Sequence, residues 1–369
     1  MRVRRLLTTL AVVPVVAACT AGVEQAPAPA PPTAAGAAAD PGFTVVASGD
    51  VLIHPELTAQ ATEDGHGRRD YQPMLAGIRD VVSRADLAIC HLETPLAPEN
   101  GPFKGYPDFS APPEIATAIA ATGYDDCSTA SNHTLDQGTG GIDRTLDDLD
   151  AAGIRHTGSA RSAPEAHTPL ILDVHGVKVG HVSFSFGFNG RIPSAPWLAN
   201  TLDVSAVLDA ARAARAAGAQ VVIVSLHWGV EYQQTATADQ RRIARQVLAD
   251  PAVDLIIGHH AHVVQPFEKI DGKWVAYGLG NSIARHSEPR GTTEEGVIAR
   301  FHFAPSGSGW TVDRAEYVPT VIDLGPPVRL RTASSPELDR ARAAKALQDT
   351  DSVVLSRGAG QAGLTRAAG

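Results

Sequence analysis

The stretch IIGHHAHVVQ, residues 256–265, joins an apolar run to three histidines within four positions, His259, His260 and His262. An apolar run without polar alternation is typical of a β-strand covered on both faces. Similar runs recur along the chain and alternate with stretches of helical periodicity. The strand candidates are residues 43–47, 87–92, 126–130, 181–185, 221–226, 255–257 and 274–277, with later β character at 296–303 and 310–324, and the helix candidates are 74–84, 113–122, 141–152, 204–217 and 237–249. This alternation predicts an α/β sandwich.

Polar clusters follow five of the predicted strands, at the point where each strand ends. They are Asp50 with His54, His91 with Glu93, Asn132 with His133, His227 with Trp228, Glu231 and Tyr232, and the three histidines of the stretch above. Because ligands of open α/β sheets bind at the carboxyl ends of the strands, we expect these clusters to converge in one pocket.

Carboxylate, amide and imidazole groups in such a pocket are the ligands of divalent metals. Six or seven such groups exceed the needs of one tetrahedral ion, so two ions that share a carboxylate are expected. Two ions roughly 3.5–4 Å apart generate a hydroxide nucleophile and clamp the oxygens of a phosphoryl or acyl transition state. The alternative, a single structural zinc site, predicts one ion per chain and loss of the fold on chelation.

The charge balance limits the class of partner. The chain has 369 residues, with 40 acidic against 31 basic side chains and a formal charge of −9. This balance argues against a nucleic-acid surface. An anionic substrate must therefore be met by local cations and not by the overall field of the protein.

The N-terminal residues predict export. Residues 1–19 combine Arg2, Arg4 and Arg5 with an apolar stretch, residues 6–18, that is too short for a typical membrane span. Small residues precede Cys19, as in the bacterial lipobox, so we expect Cys19 to be lipidated and to anchor the protein to the outer face of the membrane. An ordinary signal peptide with an incidental cysteine is the alternative.

The rest of the chain divides into three segments. Residues 20–41 are rich in Ala and Pro and predict a flexible tether, and residues 42–332 form the folded domain. Residues 333–369 are expected to form one short helix at 336–347 and a poorly ordered tail. Cys90 and Cys127 either pair in the oxidising exterior or are separate buried side chains.

Six motifs carry a resemblance to a known family. They are GDVLIH (49–54), DLAICHLETPL (86–96), SNHTLDQGTGGIDRTLDDLDAAGIRHTGSA (131–160), SLHWGVEY (225–232), GHHAHVVQPFE (258–268) and YGLGNSI (277–283). In this order they resemble the CapA family of capsule, or poly-γ-glutamate, synthesis proteins, over residues 43–328. That family is similar to the calcineurin-like metallophosphoesterases, which implies a four-layer α/β/β/α sandwich with a dinuclear metal centre.

The resemblance also implies roles for individual residues. The implied ligands of two Mn, Zn or Fe ions are Asp50, His54, Glu93, Asn132, His227, His260 and His262. The spacing of His260 and His262 places both rings on one face of an extended segment. His133 is implied to stabilise the developing charge, and Glu231 is either a general acid or base or a solvated charge. The expected pocket residues are His91, Trp228, Tyr232, His259 and Asn281.

Together these observations predict a lipid-anchored, extracytoplasmic metalloprotein. The resemblance implies a hydrolase or transferase that acts on an anionic polymer of the cell envelope or capsule, with poly-γ-glutamate the polymer of the family. The alternative is a non-catalytic accessory or binding component of a polymer synthesis and export complex. In either case a polymer synthase is a possible partner and nucleic acid is not.

Overall fold

The computed structural model describes residues 9–15, 17, 42–307 and 309–369. The predicted lipidation site Cys19 and the tether at 20–41 lie outside the described residues. The chain divides into two units, Met1–Ala39 and Asp40–Gly369, and every strand and helix below belongs to the second. In the described part of the chain, no helix is both long enough and apolar enough to cross a membrane.

Strands and short helices alternate along the second unit. The strands are β1 (Phe43–Val51), β2 (Leu87–Leu92), β3 (Asp126–Ser128), β4 (Arg155–Thr157), β5 (Leu170–Val174), β6 (Val177–Ser185), β7 (Val221–His227), β8 (Leu255–His259), β9 (Phe267–Ile270), β10 (Lys273–Ala276), β11 (Asn281–Ile283), β12 (Glu295–Ser306), β13 (Gly309–Asp323), β14 (Arg329–Thr332) and β15 (Leu364–Arg366). The helices are α1 (Pro55–Asp64), α2 (Gln72–Leu75), α3 (Arg79–Val82), α4 (Glu114–Thr122), α5 (Gly138–Ala151), α6 (Ala163–Ala166), α7 (Val204–Ala216), α8 (Ala238–Leu248) and α9 (Arg340–Val354), with a 3-10 turn at Thr292–Glu294.

The strands form two sheets. The nine-stranded sheet has the order β14-β13-β12-β1-β2-β3-β4, with β11 paired to β1 and β15 paired to β13. The six-stranded sheet has the order β5-β6-β7-β8-β10-β9. Strands β1 to β4 are parallel to one another, as are β6, β7, β8 and β10. The carboxyl ends of each parallel set therefore meet at one edge of its sheet.

Side chains on both faces of these strands are buried, which gives four layers. Ala47 and Ile89 of the first sheet share an apolar cluster with Ile223 and Ile257 of the second, between the sheets. The residues next to them along each strand point to the outer faces of the sheets. In the first sheet, Val46 packs in the cluster of α1 to α5. In the second sheet, Val222 and Val224 pack against α7 and α8. The predicted α/β/β/α sandwich is confirmed, and the double burial explains why the strands lack polar alternation.

One predicted helix is wrong. The segment 74–84 forms two short helices, α2 and α3, instead of one. Gly77 separates them and lies against β14, where a Cβ atom would be 2.4 Å from the carbonyl oxygen of Leu330. The close approach of another strand, which helical periodicity does not report, interrupts the helix at this point.

The expected C-terminal tail is also wrong. The helix runs from Arg340 to Val354 and is capped by Asp339, whose carboxylate accepts a hydrogen bond from the backbone N–H of Arg342 at 2.9 Å. Beyond it, β15 pairs in parallel with β13, and Val354 and Leu364 are buried in the cluster between the sheets. The small-residue composition suggested disorder, but two apolar side chains find partners on a strand distant in sequence.

The two cysteines that the sequence left open form a disulfide. Cys90 of β2 and Cys127 of β3 are direct neighbours in the parallel ladder, with their Cα atoms 4.5 Å apart. The bond joins two strands just below the ends that carry polar clusters.

Candidate metal centre

The polar clusters at the strand ends come together at one edge of the sandwich. Three groups of buried side chains have ligand atoms within 4.8 Å of one another: Asp50, His91 and His259; Glu93, His227 and His260; and Asp50, Glu93 and His262. Strand register produces this proximity, because Asp50 lies opposite His91 in the first sheet and His227 lies opposite His259 in the second.

A glycine allows Asp50 to reach this position. Gly49 lies against Gly280, and a Cβ atom there would be 2.0 Å from the carbonyl oxygen of Gly280. The backbone N–H of Asp50 donates to that same carbonyl at 3.0 Å. Asp50 is thereby fixed between β2 and β11, and one of its carboxylate oxygens, Oδ2, accepts a hydrogen bond from the backbone N–H of His260 at 3.2 Å.

The backbone after β8 turns both following histidines toward the centre. His260 and His262 have φ angles of 91° and 55°, a left-handed conformation that side chains other than glycine rarely adopt. The spacing predicts an extended segment, but these φ angles show that the segment is not extended. The two ring centroids nevertheless lie 6.1 Å apart. Strained backbone of this kind persists where surrounding contacts fix it, often at functional sites.

Glu93 belongs to two of the three groups and so connects them. Its carboxylate oxygen Oε1 lies 3.8 Å from His227 Nε2 and 3.7 Å from His262 Nε2. Asn132 adds an amide oxygen, which lies 2.8 Å from His227 Nε2. Carboxylate, amide and imidazole groups gathered in this way are candidate ligands of a divalent metal.

Unpartnered polar atoms show that these residues fit a metal. Both carboxylate oxygens of Glu93, Oδ1 of Asp50, both ring nitrogens of His259 and Nδ1 of His260 are buried without a hydrogen-bond partner. A buried polar group without a partner costs free energy, and a buried charge costs more. Divalent cations bind this donor set and would supply the missing partners.

The electrostatics of the cluster point the same way. Burial raises the pKa of Glu93 well above its usual range, although the positive charge of His262 acts in the opposite direction. Burial also tends to raise the pKa of Asp50, but close contacts with the rings of His259 and His262, at 3.4 and 3.2 Å, outweigh it and hold that pKa well below its usual range. Two carboxylates so close together repel each other when both are ionised, so both can be negatively charged only if positive charge lies between them.

The pKa values of two histidines in the cluster are also shifted in opposite directions. Burial lowers the pKa of His260 to about 3, with a contribution from the charge of His262. For His262 itself, burial is outweighed by the carboxylates of Glu93 and Asp50, which raise its pKa to about 10. Bound cations would replace the proton on His262 as the partner of these carboxylates.

Further hydrogen bonds fix the orientation of two imidazoles. Ser128 Oγ lies 2.8 Å from His91 Nδ1, and His91 Nε2 lies 3.0 Å from His227 Nδ1, which turns His227 Nε2 toward the centre. Asn281 Oδ1 lies 3.0 Å from His262 Nδ1, while the amide group of Asn281 donates to the carbonyl of Thr293 at 2.9 Å. Partners of this kind orient metal ligands and tune their affinity.

The structure distributes three histidines differently from the sequence assignment. His54 belongs to none of the three groups found among the described residues, because β1 ends at Val51 and His54 is the N-cap residue that precedes α1. Its Nδ1 lies 3.1 Å from both the carbonyl oxygen of Leu52 and the backbone nitrogen of Arg285. His91 and His259, expected as pocket residues, instead stack on each other at 4.1 Å beside Asp50.

The sequence predicts that Trp228 lines the pocket, but the structure places it elsewhere. Its indole is buried with α7 and α8, and its Nε1 donates to the carbonyl of Tyr277 at 2.9 Å. The strand geometry explains this position, because Trp228 follows His227 and points to the opposite face of the sheet. Glu231 and Tyr232 do reach the pocket and are exposed at its mouth.

Sequence reasoning missed the partners of His133. The ring Nδ1 of His133 lies 2.7 Å from Asp136 Oδ2, and the other oxygen of Asp136 accepts a hydrogen bond from Arg191 Nη1 at 3.1 Å. Asp136 stands three residues after His133 in the motif SNHTLD, a spacing that could have revealed it. Arg191 comes from a distant loop, and no local pattern indicates it.

Two cavities flank the centre. One has a volume of about 410 Å³ and extends toward His54 and His286, and the other has a volume of about 690 Å³ and extends toward Asn189 and Arg191. Tyr106, His133 and Glu231 line both. A long substrate can therefore lie on both sides of the centre.

Comparison with known families agrees with the motifs. The model of the family "Bacterial capsule synthesis protein PGA_cap" matches residues 44–286, which contain all the side chains of the three groups. This chain belongs to the PGA_cap family. The resemblance to capsule and poly-γ-glutamate synthesis proteins is thereby confirmed.

Several known proteins share about a quarter of their aligned residues with this chain. The capsule biosynthesis protein CapA of Bacillus anthracis is 25% identical over 252 residues, which cover 67% of this chain and 59% of that protein. The PGA biosynthesis protein CapA of Bacillus subtilis (strain 168) is 27% identical over 218 residues, 56% of this chain and 53% of that protein. A probable polyglutamine synthesis accessory protein of Mycobacterium tuberculosis is 26% identical over 54% of this chain and 55% of its own length. This chain thus spans somewhat more than half the length of these relatives.

Solved structures with a similar arrangement include the calcineurin-like phosphoesterase YfkN of Bacillus subtilis. It is 14% identical, with a TM-score of 0.43 over 84% of this chain and 97% of that one. A 5'-nucleotidase precursor of Thermus thermophilus is 16% identical, with a TM-score of 0.45 over 84% of this chain and 58% of that one. At these low values, no residue role follows from either structure.

Proposed function

We propose that this member of the PGA_cap family is a metal-dependent hydrolase or transferase that acts on an anionic polymer of the cell envelope. The observation that carries the proposal is the Glu93 carboxylate, which is buried, lacks hydrogen-bond partners and belongs to two ligand groups at once. A scaffold has no need for such a carboxylate, whereas a pair of catalytic cations does.

The two proposed cation positions use different residues around Glu93. The first position would use Glu93, Asp50 and His262, with His91 and His259 beside Asp50. The second position would use Glu93 with His227, His260 and Asn132. Carboxylate and imidazole ligands suit Mn, Zn and Fe. When bound, such ions polarise a phosphoryl or carbonyl oxygen and supply a nucleophile at neutral pH.

In this proposal His133 moves the proton. The hydrogen bond from its Nδ1 to Asp136 fixes the ring, and Nε2, on the other side of the ring, is left for a substrate in either cavity. His133 would donate from Nε2 to the oxygen or nitrogen of the leaving group, while Asp136 stabilises the imidazolium. Glu231, exposed at the mouth of both cavities, is the second candidate acid or base.

The proposed substrate is a carboxylate-bearing polymer such as poly-γ-glutamate. The names of the two CapA relatives support this class, because they refer to capsule and PGA biosynthesis. Cleavage and transfer differ only in whether water or a polymer end accepts the cleaved group. A polymer synthase is the proposed partner complex.

We also propose that the protein is exported and anchored through lipidated Cys19 on the outer face of the membrane. The cationic start, the short apolar stretch and the small residues before Cys19 support this location. The disulfide between Cys90 and Cys127 suits an oxidising compartment.

A non-catalytic accessory role is the second candidate. It is favoured by the mycobacterial relative, whose name describes an accessory protein of polyglutamine synthesis. In that case the cations would be structural and no bond would be broken.

The deciding experiment combines metal content with turnover. Elemental analysis of the full chain should find two divalent ions, and the Mn- or Zn-loaded protein should hydrolyse a generic phosphodiester or a γ-glutamyl oligomer. His133→Gln should lower kcat by about 10² to 10⁴ and keep both ions, because it removes the proton donor and no ligand. His156→Gln, a remote histidine that contacts Asp150 at 3.2 Å, is the matched control and should keep full activity. Two bound ions without turnover of either substrate would favour the accessory role.

A further inference from the structure

We infer that Arg285 and Arg290 form an oxyanion subsite on one side of the metal centre, which binds a carboxylate of the polymer and determines how the chain lies across the centre. The inference rests on the proposed function and deepens it, since it names the residues that select the substrate class. Arg285 lines one cavity, Arg290 contacts the wall of that cavity, and neither guanidinium has an acidic partner among the described residues.

Arg285 lies in the cavity of about 410 Å³. It follows β11, and its backbone N–H points at His54 Nδ1, 3.1 Å away. Its guanidinium Nη1 donates to the carbonyl of the cavity residue His286 at 3.4 Å. The same cavity is lined by His133 and by His262, so it opens directly onto the candidate centre. A group bound by Arg285 is therefore part of a substrate that also reaches His133.

Arg290 contacts the wall of this cavity through Tyr232. Its guanidinium carbon lies 4.3 Å from the centre of the Tyr232 ring, and Tyr232 lines the cavity. Tyr232 is itself fixed, with a φ angle of 65° and a hydrogen bond from its backbone N–H to the carbonyl of Ala261 at 2.7 Å. A guanidinium stacked on an aromatic face keeps its edge N–H groups free for a bidentate contact with a carboxylate.

Neither guanidinium forms an ion pair with any carboxylate of the described residues. Glu56 and Glu231 also line the cavity, yet no ion pair joins either of them to Arg285 or Arg290. The second cavity is different, because its cation, Arg191, is already paired with Asp136 and Asp108. Among the described residues at the two cavities, arginines without an ion pair thus lie on one side of the centre.

The overall charge makes this asymmetry matter. With a formal charge of −9 the protein repels an anionic chain, so local cations must hold it. We assign the carboxylate-bearing units on one side of the scissile bond to the cavity with Arg285 and Arg290. The cavity with Arg191 accepts the rest of the chain without a free cation.

The test measures binding and not turnover. The full chain, loaded with Mn²⁺, is titrated by calorimetry with a γ-glutamyl decamer and with the same decamer amidated at every carboxylate. The wild type should bind the charged decamer about tenfold more tightly. Arg285→Gln and Arg290→Gln should each reduce this preference to about threefold, and the double variant should abolish it, while affinity for the amidated decamer stays constant.

Controls separate local recognition from net charge and from folding. Arg79→Gln removes the same charge at an exposed position of α3, outside both cavities, and should keep the tenfold preference. The double replacement by lysine, Arg285→Lys with Arg290→Lys, should restore part of the preference, which a misfolded cavity would not do. Thermal unfolding of every variant should match that of the wild type.

The inference is overturned if the wild type shows no preference, or if the double glutamine variant keeps it. It is also overturned if a glycerol-phosphate oligomer binds more tightly than the charged decamer with the same dependence on both arginines, since the subsite would then select phosphate. His133→Gln should keep the preference. If it does, and no protein in the series turns over substrate, the subsite stands and the proposed catalysis fails.

Discussion

Two buried units of carboxylate and imidazole lie between the same two sheets, and they differ in how their polar atoms are partnered. In the first, the ring nitrogens of His181 bond to Asp126 and, at 2.8 Å, to Ser225 Oγ, which leaves only Asp126 Oδ1 without a partner. In the second, around Glu93 and His259, both carboxylate oxygens and both ring nitrogens are unpartnered. Burial of charged groups is common to both, so the unpartnered donors, and not burial, distinguish a binding site from a structural contact.

The two units are one step apart on the same strands. Asp126 and Ser128 both lie on β3, and Ser225 and His227 both lie on β7, two residues apart and on one face in each case. Ser128 reaches His227 through His91, just as Asp126 reaches Ser225 through His181. Two residues closer to the carboxyl ends of the same strands, the same kind of inter-sheet hydrogen-bond chain therefore orients a proposed metal ligand, His227.

The largest expected effect comes from Glu93→Gln, which alters the carboxylate common to both ligand groups. We expect the metal content to fall from two ions to less than one per chain and turnover to fall by about 10³ or more, since both cations lose a ligand. Stability of the metal-free protein should be unchanged or higher by about 1 kcal/mol, because a buried carboxylate without hydrogen-bond partners is replaced by a neutral amide. Elemental analysis and thermal unfolding with and without chelator provide the measurements. Retention of two ions by Glu93→Gln would falsify the shared-ligand assignment.

The matched replacement in the first unit is Asp126→Asn, with a smaller and different effect. It removes the buried partner of His181, so the free energy of unfolding should fall by about 2–4 kcal/mol. Metal content should remain at two ions, because no ligand contact changes. Denaturant unfolding and elemental analysis of the same preparation check both statements. A loss of metal in this variant, at a temperature where it is folded, would show that the two units are not separate.

The smallest expected effect separates the two serines. Ser128→Ala should weaken cation binding by about tenfold, because His91 then no longer holds His227 in place. Ser225→Ala should instead lower stability by about 1 kcal/mol and leave cation affinity unchanged. Competition with a chelating dye gives the affinities. Equal affinities in the two variants would contradict the distinction between the units.

Much of the sandwich could be predicted from the sequence because its central strands are covered on both faces. Strand β2 was predicted with its observed limits, and β7 and β8 to within two residues. The strands β4 and β15 have three residues each and no apolar run, so local patterns could not reveal them. Their pairing depends on neighbours distant in sequence.

The candidate site divides in the same way. Convergence of the clusters follows from parallel topology, which periodicity predicts. The candidate ligand groups contain His91 and His259 but not His54, because β1 ends at Val51, before His54. The spacing of the histidines in the sequence does not show where a strand ends. The contact between Arg191 and Asp136 joins two loops whose approach is set by the whole fold.

The direction of β1 has one further consequence. The strand begins at Phe43 and delivers Asp50 seven residues later, about 23 Å away at roughly 3.3 Å per residue. The start of the described domain and the candidate metal centre are therefore separated by most of the length of β1, so a substitution or label at Phe43 lies far from the proposed ligands.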